Sequence, residues 1–340
     1  MTAHNQSFVL MDCTFRDGGF QTDWRFSDAM VGHYFGMCQV AGVDIVEMGY
    51  LNLDPAARVS HPGSYKALPE SLSDVQRQQV DLGPMRAAVM IDAWRILDQP
   101  VQAAAEVILA AIRRSPFPIA ILRIAAMSSQ LEGSLALTKA LAGQDLAVMI
   151  NLMQAAELTP EQLVHDLPAL AVEPVTALYF ADSFGRMLPE QVHRLFSQAR
   201  ELTPLPLGFH AHDNYGLAVA NTQAALDAGA RHADGTFAGI GRGAGNAPTE
   251  TLALLKSGTQ EMADCEAFLA AHIEPLRHTA NWGYSPTYRC QAKHKVHPTY
   301  AQRLFEGTPL TGLERIDILG KIAGHAGAHK FDAGILSHYR

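Results

Sequence analysis

The chain has 340 residues, a size that suits one large α/β domain with a small appendage. Its net charge of −8, with no basic run longer than two residues, argues against nucleic-acid binding. No uninterrupted apolar run of about 18 residues exists to span a membrane, and the N-terminus lacks a basic segment followed by an apolar one. The four cysteines show no CxxC spacing and read as reduced thiols, so a cytoplasmic location is expected. Only 18% of residues are charged against 48% hydrophobic, which predicts a large core and a surface partly covered in a homo-oligomer.

Eight short apolar runs read as strands in chain order: Phe8–Asp12, Ile45–Gly49, Arg86–Ile91, Ile119–Ala125, Leu146–Asn151, Ala177–Asp182, Leu205–His210 and Ala233–Phe237. Between most of them, apolar residues recur at spacings of three and four. This predicts helices at Val101–Arg114, Leu131–Leu141, Pro160–Leu170, Leu188–Leu202 and Leu217–Ala228. Pro160 and Pro189 fall where a first helical turn begins, and Gly229 falls just past a helix end. Strands alternating with helices imply right-handed βαβ units and a parallel sheet. Eight units favour a closed (β/α)8 TIM barrel; an open doubly wound sheet ranks second, because no GxGxxG follows the first strand. Leu51–Pro84, with several Pro, Ser and Gln residues, reads as a long loop of the kind that forms lids. After about Met262 the rhythm stops. Residues 1–262 are expected to form the barrel and residues 263–340 a C-terminal helical domain.

Barrel active sites lie at the C-terminal ends of the strands. The seventh strand ends in Gly-Phe-His-Ala-His-Asp-Asn, which puts His210 and His212 on one side of one strand. Two imidazoles so placed are a metal-site constellation. Asp213 and Asn214 are expected to orient the imidazoles or to cap the next helix. The first strand is followed by Arg16 and Asp17, a guanidinium and a carboxylate suited to anion binding and metal ligation. Alone, they would more often be a turn with a surface ion pair. The sixth strand ends with Asp182 and Ser183, which equally fit a helix-start turn. A loop with Gly239, Gly241, Gly243, Gly245 and Asn246 follows the eighth. Its amides suit an anion and Asn246 a cation; alone it is a weak signal.

One carboxylate, two imidazoles and an amide oxygen make a mixed oxygen and nitrogen set. Such a set suits a divalent metal, Mn²⁺ or Mg²⁺ first, then Co²⁺ or Zn²⁺. Zn²⁺ is less favoured because no thiolate lies nearby in sequence. A divalent cation in such a site polarises a 2-oxo acid and stabilises an enolate, and Arg16 adds positive charge beside it.

Asp-Cys-Thr-Phe-Arg-Asp-Gly-Gly, His-Ala-His-Asp-Asn and Gly-Arg-Gly-Ala-Gly-Asn-Ala-Pro-Thr-Glu, in that order, resemble the HMG-CoA-lyase-like metal-dependent lyases and aldolases. The resemblance covers roughly residues 8–262. It is strongest to the 4-hydroxy-2-oxovalerate aldolases and implies a (β/α)8 fold and carbon–carbon lyase activity. It also implies metal ligation by Asp17, His210, His212 and Asn246, and enolate stabilisation by Arg16. Ser183 matches a serine contacting the pyruvate carboxylate, and Tyr288 a tyrosine reaching the active site. The implied reaction partners are a small 2-oxo acid and an aldehyde. Those aldolases carry a histidine shortly after Arg-Asp-Gly as acid–base; here Phe20 stands there, and a phenyl ring cannot move a proton. Tyr284 and His61 are further candidates for that task.

Two alternatives stay open. One is a Claisen-type condensing enzyme joining acetyl-CoA to a 2-oxo acid, disfavoured because Gly241-Arg242-Gly243 lacks the Gly-Glu-Arg of that group. The other is a non-catalytic barrel serving assembly, motivated by Phe20 and opposed by the intact Arg16, Asp17, His210 and His212. In related aldolases the C-terminal domain docks an aldehyde dehydrogenase. By analogy His294, Lys295, His297 and the segment His325–His329 are expected to face the barrel mouth or such a partner.

Overall fold

The computed structural model describes residues 7–51, 53, 72–171, 173–257 and 265–339. Eight strands form a closed, all-parallel barrel in sequence order. They are β1 (Val9–Asp12), β2 (Ile45–Tyr50), β3 (Arg86–Asp92), β4 (Ile119–Ala126), β5 (Ala147–Leu152), β6 (Ala177–Asp182), β7 (Leu207–Ala211) and β8 (His232–Gly235). Closure comes from β8 pairing with β1 through Val9↔His232 to Asp12↔Gly235. All eight strands fall within two residues of the boundaries expected from periodicity.

The outer ring is α1 (Asp28–Val40), α2 (Asp74–Gln79), α3 (Val101–Arg113), α4 (Leu131–Ala140), α5 (Pro160–Ala171), α6 (Pro189–Leu202), α7 (Ala218–Asp227) and α8 (Thr249–Ser257). Local chemistry sets several ends. Ser27 and Ser73 accept backbone N–H bonds from Met30 and Gln76, capping α1 and α2. Pro160 and Pro189 open α5 and α6, and Gly229 has φ +97° just after α7. The segment read as a loop, Leu51–Pro84, contains α2; residues 52 and 54–71, including His61, lie outside the described residues.

Apolar burial divides into two shells. A large shell lies between strands and helices. A small plug of Met11, Cys13, Ile45, Ala88, Ile121, Met149, Ala177 and Tyr179 fills the barrel interior. Gly208 makes room in that plug, since a Cβ there would lie 2.5 Å from the Tyr179 ring. Above the plug, at the C-terminal ends of the strands, the interior side chains become charged.

The expected domain boundary at residues 262 and 263 lies outside the described residues. Beyond it, Cys265–Phe268 and the helical turns to His278 pack into the barrel's own outer shell through Cys265, Phe268 and Ile273. The four helices α9 (Pro286–Lys293), α10 (Pro298–Arg303), α11 (Gly312–Ile322) and α12 (Ala333–Tyr339) instead share a separate core. It holds Tyr288, Tyr300, Leu304, Leu319 and Leu336, and Ala244 of the glycine-rich loop reaches into it. This layer sits on the barrel mouth. Lys295 Nζ lies 2.7 Å from Glu157 Oε2, and the Gly283 N–H donates to the Ala244 carbonyl at 2.9 Å.

Candidate active site

The buried charges above the plug form one connected cluster. Arg123, on β4, is completely buried and its guanidinium lies 4.3 Å over the Tyr179 ring. It donates to Glu47 Oε1 at 3.0 Å and to Asp234 Oδ2 at 2.8 Å. Glu47 Oε2 accepts from Arg16 Nε at 2.7 Å, and Arg16 Nη1 lies 3.1 Å from Asp17 Oδ1. Period-two alternation makes this possible. Glu47, Arg123, His210 and Asp234 all project into the barrel, and the pair His210↔Asp234 is in register across β7 and β8. Burying so many charges carries a heavy desolvation cost, met here by pairing each with an opposite charge.

The donor set for a metal sits on this base. Oxygen of Asp17 and nitrogens of His210 and His212 lie within 4.8 Å of one another, all buried. Asp17 Oδ2 is 3.3 Å from His210 Nε2 and 3.8 Å from His212 Nε2. Burial acts most strongly on Asp17 and would raise its pKa. The positive charge of Arg16, together with the neighbouring imidazoles and a hydrogen bond from His210, outweighs it and holds the carboxyl well below the usual range. Burial pushes His212 down to about 3, so its imidazole is neutral. His210 Nδ1 lies 3.0 Å from Asp234 Oδ2 and its Nε2 3.3 Å from Asp17 Oδ2. Burial opposes protonation of His210, but hydrogen bonds to these two carboxylates raise its pKa. With a proton kept on Nδ1 toward Asp234, its Nε2 would be free to ligate a metal.

Asn246 joins the cluster. Its Nδ2 lies 2.7 Å from Asp17 Oδ2 and 3.0 Å from His210 Nε2, while its Oδ1 is buried without a partner. A half-turn of the amide exchanges the two ends and offers oxygen to the same point. The Asp17 carboxylate, both imidazoles and the Asn246 amide meet here, and Asn246 Oδ1, Arg16 Nη2 and Asp17 Oδ1 lack hydrogen-bond partners. The residues present therefore fit a divalent cation held by oxygen and nitrogen.

The other sequence candidates are less central. Ser183 Oγ accepts the Gln154 N–H at 3.0 Å. Asp182 supports its own turn by accepting the Met187 N–H at 2.8 Å. Asp213 caps α7 through the Ala218 N–H at 2.8 Å, and Asn214 bonds to Gln291 and Ala244, so neither orients an imidazole. Tyr288 is buried in the helical layer and donates its hydroxyl to the Asn281 carbonyl at 2.6 Å, which commits its proton away from the ligands. Tyr284 is 61% exposed, too open for a buried proton relay. Of the appendage group, Lys295 pairs with Glu157, and His297 accepts the Thr299 N–H.

Four residues were invisible to motif reading. Glu47, Arg123 and Asp234 sit inside strands, where charged residues on an interior face were the only signal. Asn151, on β5, is buried with Oδ1 unpartnered. Cys13, four residues before Asp17, forms a second close group with His210 and Asp234. Burial, then the charges of Asp234 and Glu47, push its pKa well up, so it remains a thiol.

A model of the HMGL-like family matches residues 7–271. The oxaloacetate decarboxylase of Mycobacterium tuberculosis is 28% identical over 96% of this chain and 94% of its own length. The 4-hydroxy-2-oxovalerate aldolase of Pelotomaculum thermopropionicum is 29% identical over 78% of this chain and 76% of its own. The crystal structure of the N-terminal domain of a candidate aldolase from Bacteroides vulgatus superposes with a TM-score of 0.73 at 27% identity, covering 86% of this chain and 95% of that one. The carboxyl transferase domain of Rhizobium etli pyruvate carboxylase shares the fold at a TM-score of 0.69 and 16% identity; this chain spans 53% of it. The chain belongs to the HMGL-like family.

Proposed function

We propose that the protein is a divalent-metal-dependent lyase that cleaves or forms the C3–C4 bond of a 4-hydroxy-2-oxo acid by way of a pyruvate enolate. The observation that carries this is the convergence of Asp17, His210 and His212 beside the unpartnered Nη2 of Arg16. When bound, Mn²⁺ or Mg²⁺ would supply Lewis acidity at the ketone. Arg16, fixed by Glu47 and Asp17, holds its free N–H where negative charge develops on the ketone oxygen. Ser183 accepts from Gln154 and so keeps its own hydrogen to offer a carboxylate. Asn151 presents an unpartnered amide inside the barrel.

A second reading has its own support in Phe20. Retro-aldol cleavage needs a base for the C4 hydroxyl proton, and Phe20 stands where the resemblance expects that base. Decarboxylation of a 3-carboxylated 2-oxo acid needs none. The bond to the carboxylate breaks, carbon dioxide leaves, and the electron pair forms the same enolate, which then takes a proton from water at C3. The M. tuberculosis relative named oxaloacetate decarboxylase spans nearly the whole chain, in accord with this.

The test is exchange of pyruvate methyl protons into deuterated water, followed by NMR. Exchange above background that requires added Mn²⁺ and stops with a chelator is expected. Background exchange with Mn²⁺ present would reject the enolate chemistry under both readings. Metal content of Asp17→Ala and His212→Ala separates an enzyme from a non-catalytic barrel, since a wild-type chain that binds no more metal than these variants is no metalloenzyme.

A further inference from the structure

We infer that Arg242 is a specificity residue that receives a second carboxylate, so that the substrates are 2-oxo acids carrying a carboxylate beyond C2. The inference rests on the enolate-forming reading above and names its substrate class.

Arg242 lies in the glycine-rich loop after β8, between Gly241 and Gly243. Its guanidinium carbon stands 4.8 Å over the ring of Phe20, three residues after the ligand Asp17. That ring is itself held. Phe20 packs edge-on against Trp24, with centroids 4.6 Å apart, and the Trp24 indole N–H donates to the Arg16 carbonyl at 2.8 Å. The side chain that cannot serve as a base is thus a platform for a cation, an arrangement suited to arginine. The loop that carries Arg242 lies against the ligands: a Cβ on the preceding Gly241 would stand 1.8 Å from Asn246 Oδ1 and 3.4 Å from Asp17 Oδ2.

Arg242 differs from the other guanidiniums of the mouth. Arg16 is paired with Glu47 and Asp17, and Arg123 with Glu47 and Asp234. Among the described residues Arg242 has neither an ion pair nor a side-chain hydrogen bond, and its Nε is buried without a partner. A buried N–H left unpaired is costly, so a ligand that completes it is favoured.

Charge balance points the same way. Arg16 and Arg123 face three buried carboxylates, Asp17, Glu47 and Asp234, and leave one negative charge. A divalent cation turns that into one positive charge, and Arg242 makes it two. A 2-oxo monocarboxylate neutralises half of this, whereas a dianionic substrate neutralises all of it. Both a 4-hydroxy-2-oxo acid carboxylated at C4 and a 2-oxo acid carboxylated at C3 meet the requirement.

The experiment compares inert skeletons by calorimetry and substrates by kinetics. 2-Oxoglutarate is expected to bind the Mn²⁺-loaded protein more tightly than 2-oxovalerate, which lacks the distal carboxylate. The ratio of kcat/KM for oxaloacetate or 4-hydroxy-4-methyl-2-oxoglutarate over that for 4-hydroxy-2-oxovalerate should exceed one. In Arg242→Ala both preferences should fall about 30-fold or more, the effect of truncating one partner of a desolvated charge pair. Arg242→Lys should recover part, and Phe20→Leu should shift both in the direction of Arg242→Ala. Unchanged preferences in Arg242→Ala, or a wild-type preference for 2-oxovalerate, overturn the assignment. If wild-type protein prefers 2-oxoglutarate but catalyses no pyruvate methyl exchange, the carboxylate site stands and the enolate reading fails.

Discussion

Asp234 sets the chemical identity of His210. Its Oδ2 lies 3.0 Å from Nδ1 and holds a proton there, so Nε2 is the nitrogen that would ligate a metal beside Asp17. Asp234→Asn removes the charge and offers an amide hydrogen in place of an acceptor lone pair. Metal affinity should weaken about 10- to 100-fold, the usual cost of losing such a partner. Calorimetric Mn²⁺ titration measures this, and an unchanged affinity would show that packing alone orients the ring.

Arg123 ties the site to the barrel. Both Glu47 and Asp234 depend on it, and no water reaches it. Arg123→Met keeps an unbranched apolar stem but removes the charge that Glu47 and Asp234 share, leaving them only Arg16 and His210. We expect a loss of about 3–5 kcal/mol, measured by urea unfolding. A loss under about 1 kcal/mol would place this pair with exposed ion pairs.

Gly241 and Gly320 make opposite predictions for the same substitution. A Cβ at Gly241 would lie 1.8 Å from Asn246 Oδ1, so Gly241→Ala must displace the amide and weaken Mn²⁺ binding. Gly320 is exposed within α11, and a Cβ there meets nothing within 4 Å. Gly320→Ala should stabilise by about 1 kcal/mol and leave metal affinity alone. Equal metal affinities in the two variants would contradict the placement of Asn246 among the ligands.

Asp182 gives a pH dependence of stability. Burial raises its pKa to about 6, above the ordinary value of 3.8, despite the opposing backbone bonds from Met187 and its neighbours. The folded state therefore holds a proton that the unfolded chain releases. Its contribution is fully present below pH 4 and is lost as pH rises through about 6. The thermal midpoint of wild type relative to Asp182→Asn should fall between pH 4 and pH 7. A constant difference across that range would mean that Asp182 is ionised throughout.

Much of the molecule was readable in the chain. Strand and helix positions follow from hydrophobic period, a local property, and eight βα repeats leave few arrangements other than a barrel. The spacing of His210 and His212 is also local, because alternate residues of a strand share a face. Arg16, Asp17 and Asn246 were marked by motif, and the fold brings Asp17 and Asn246 to the two imidazoles from opposite ends of the barrel sequence.

Other features needed the closed barrel. Glu47, Arg123 and Asp234 come from three strands, and nothing in any one strand says that the three meet. Tyr288 matched by resemblance, yet tertiary packing gave its hydroxyl to Asn281. Phe20 read as a missing base; in the structure it lies beneath Arg242. The sequence by itself determined the elements and the donor types, since these depend on neighbours along the chain. Only the tertiary structure decided which charges are paired and which is left for a ligand, because charge compensation acts through space over a few ångströms and is blind to separation in sequence.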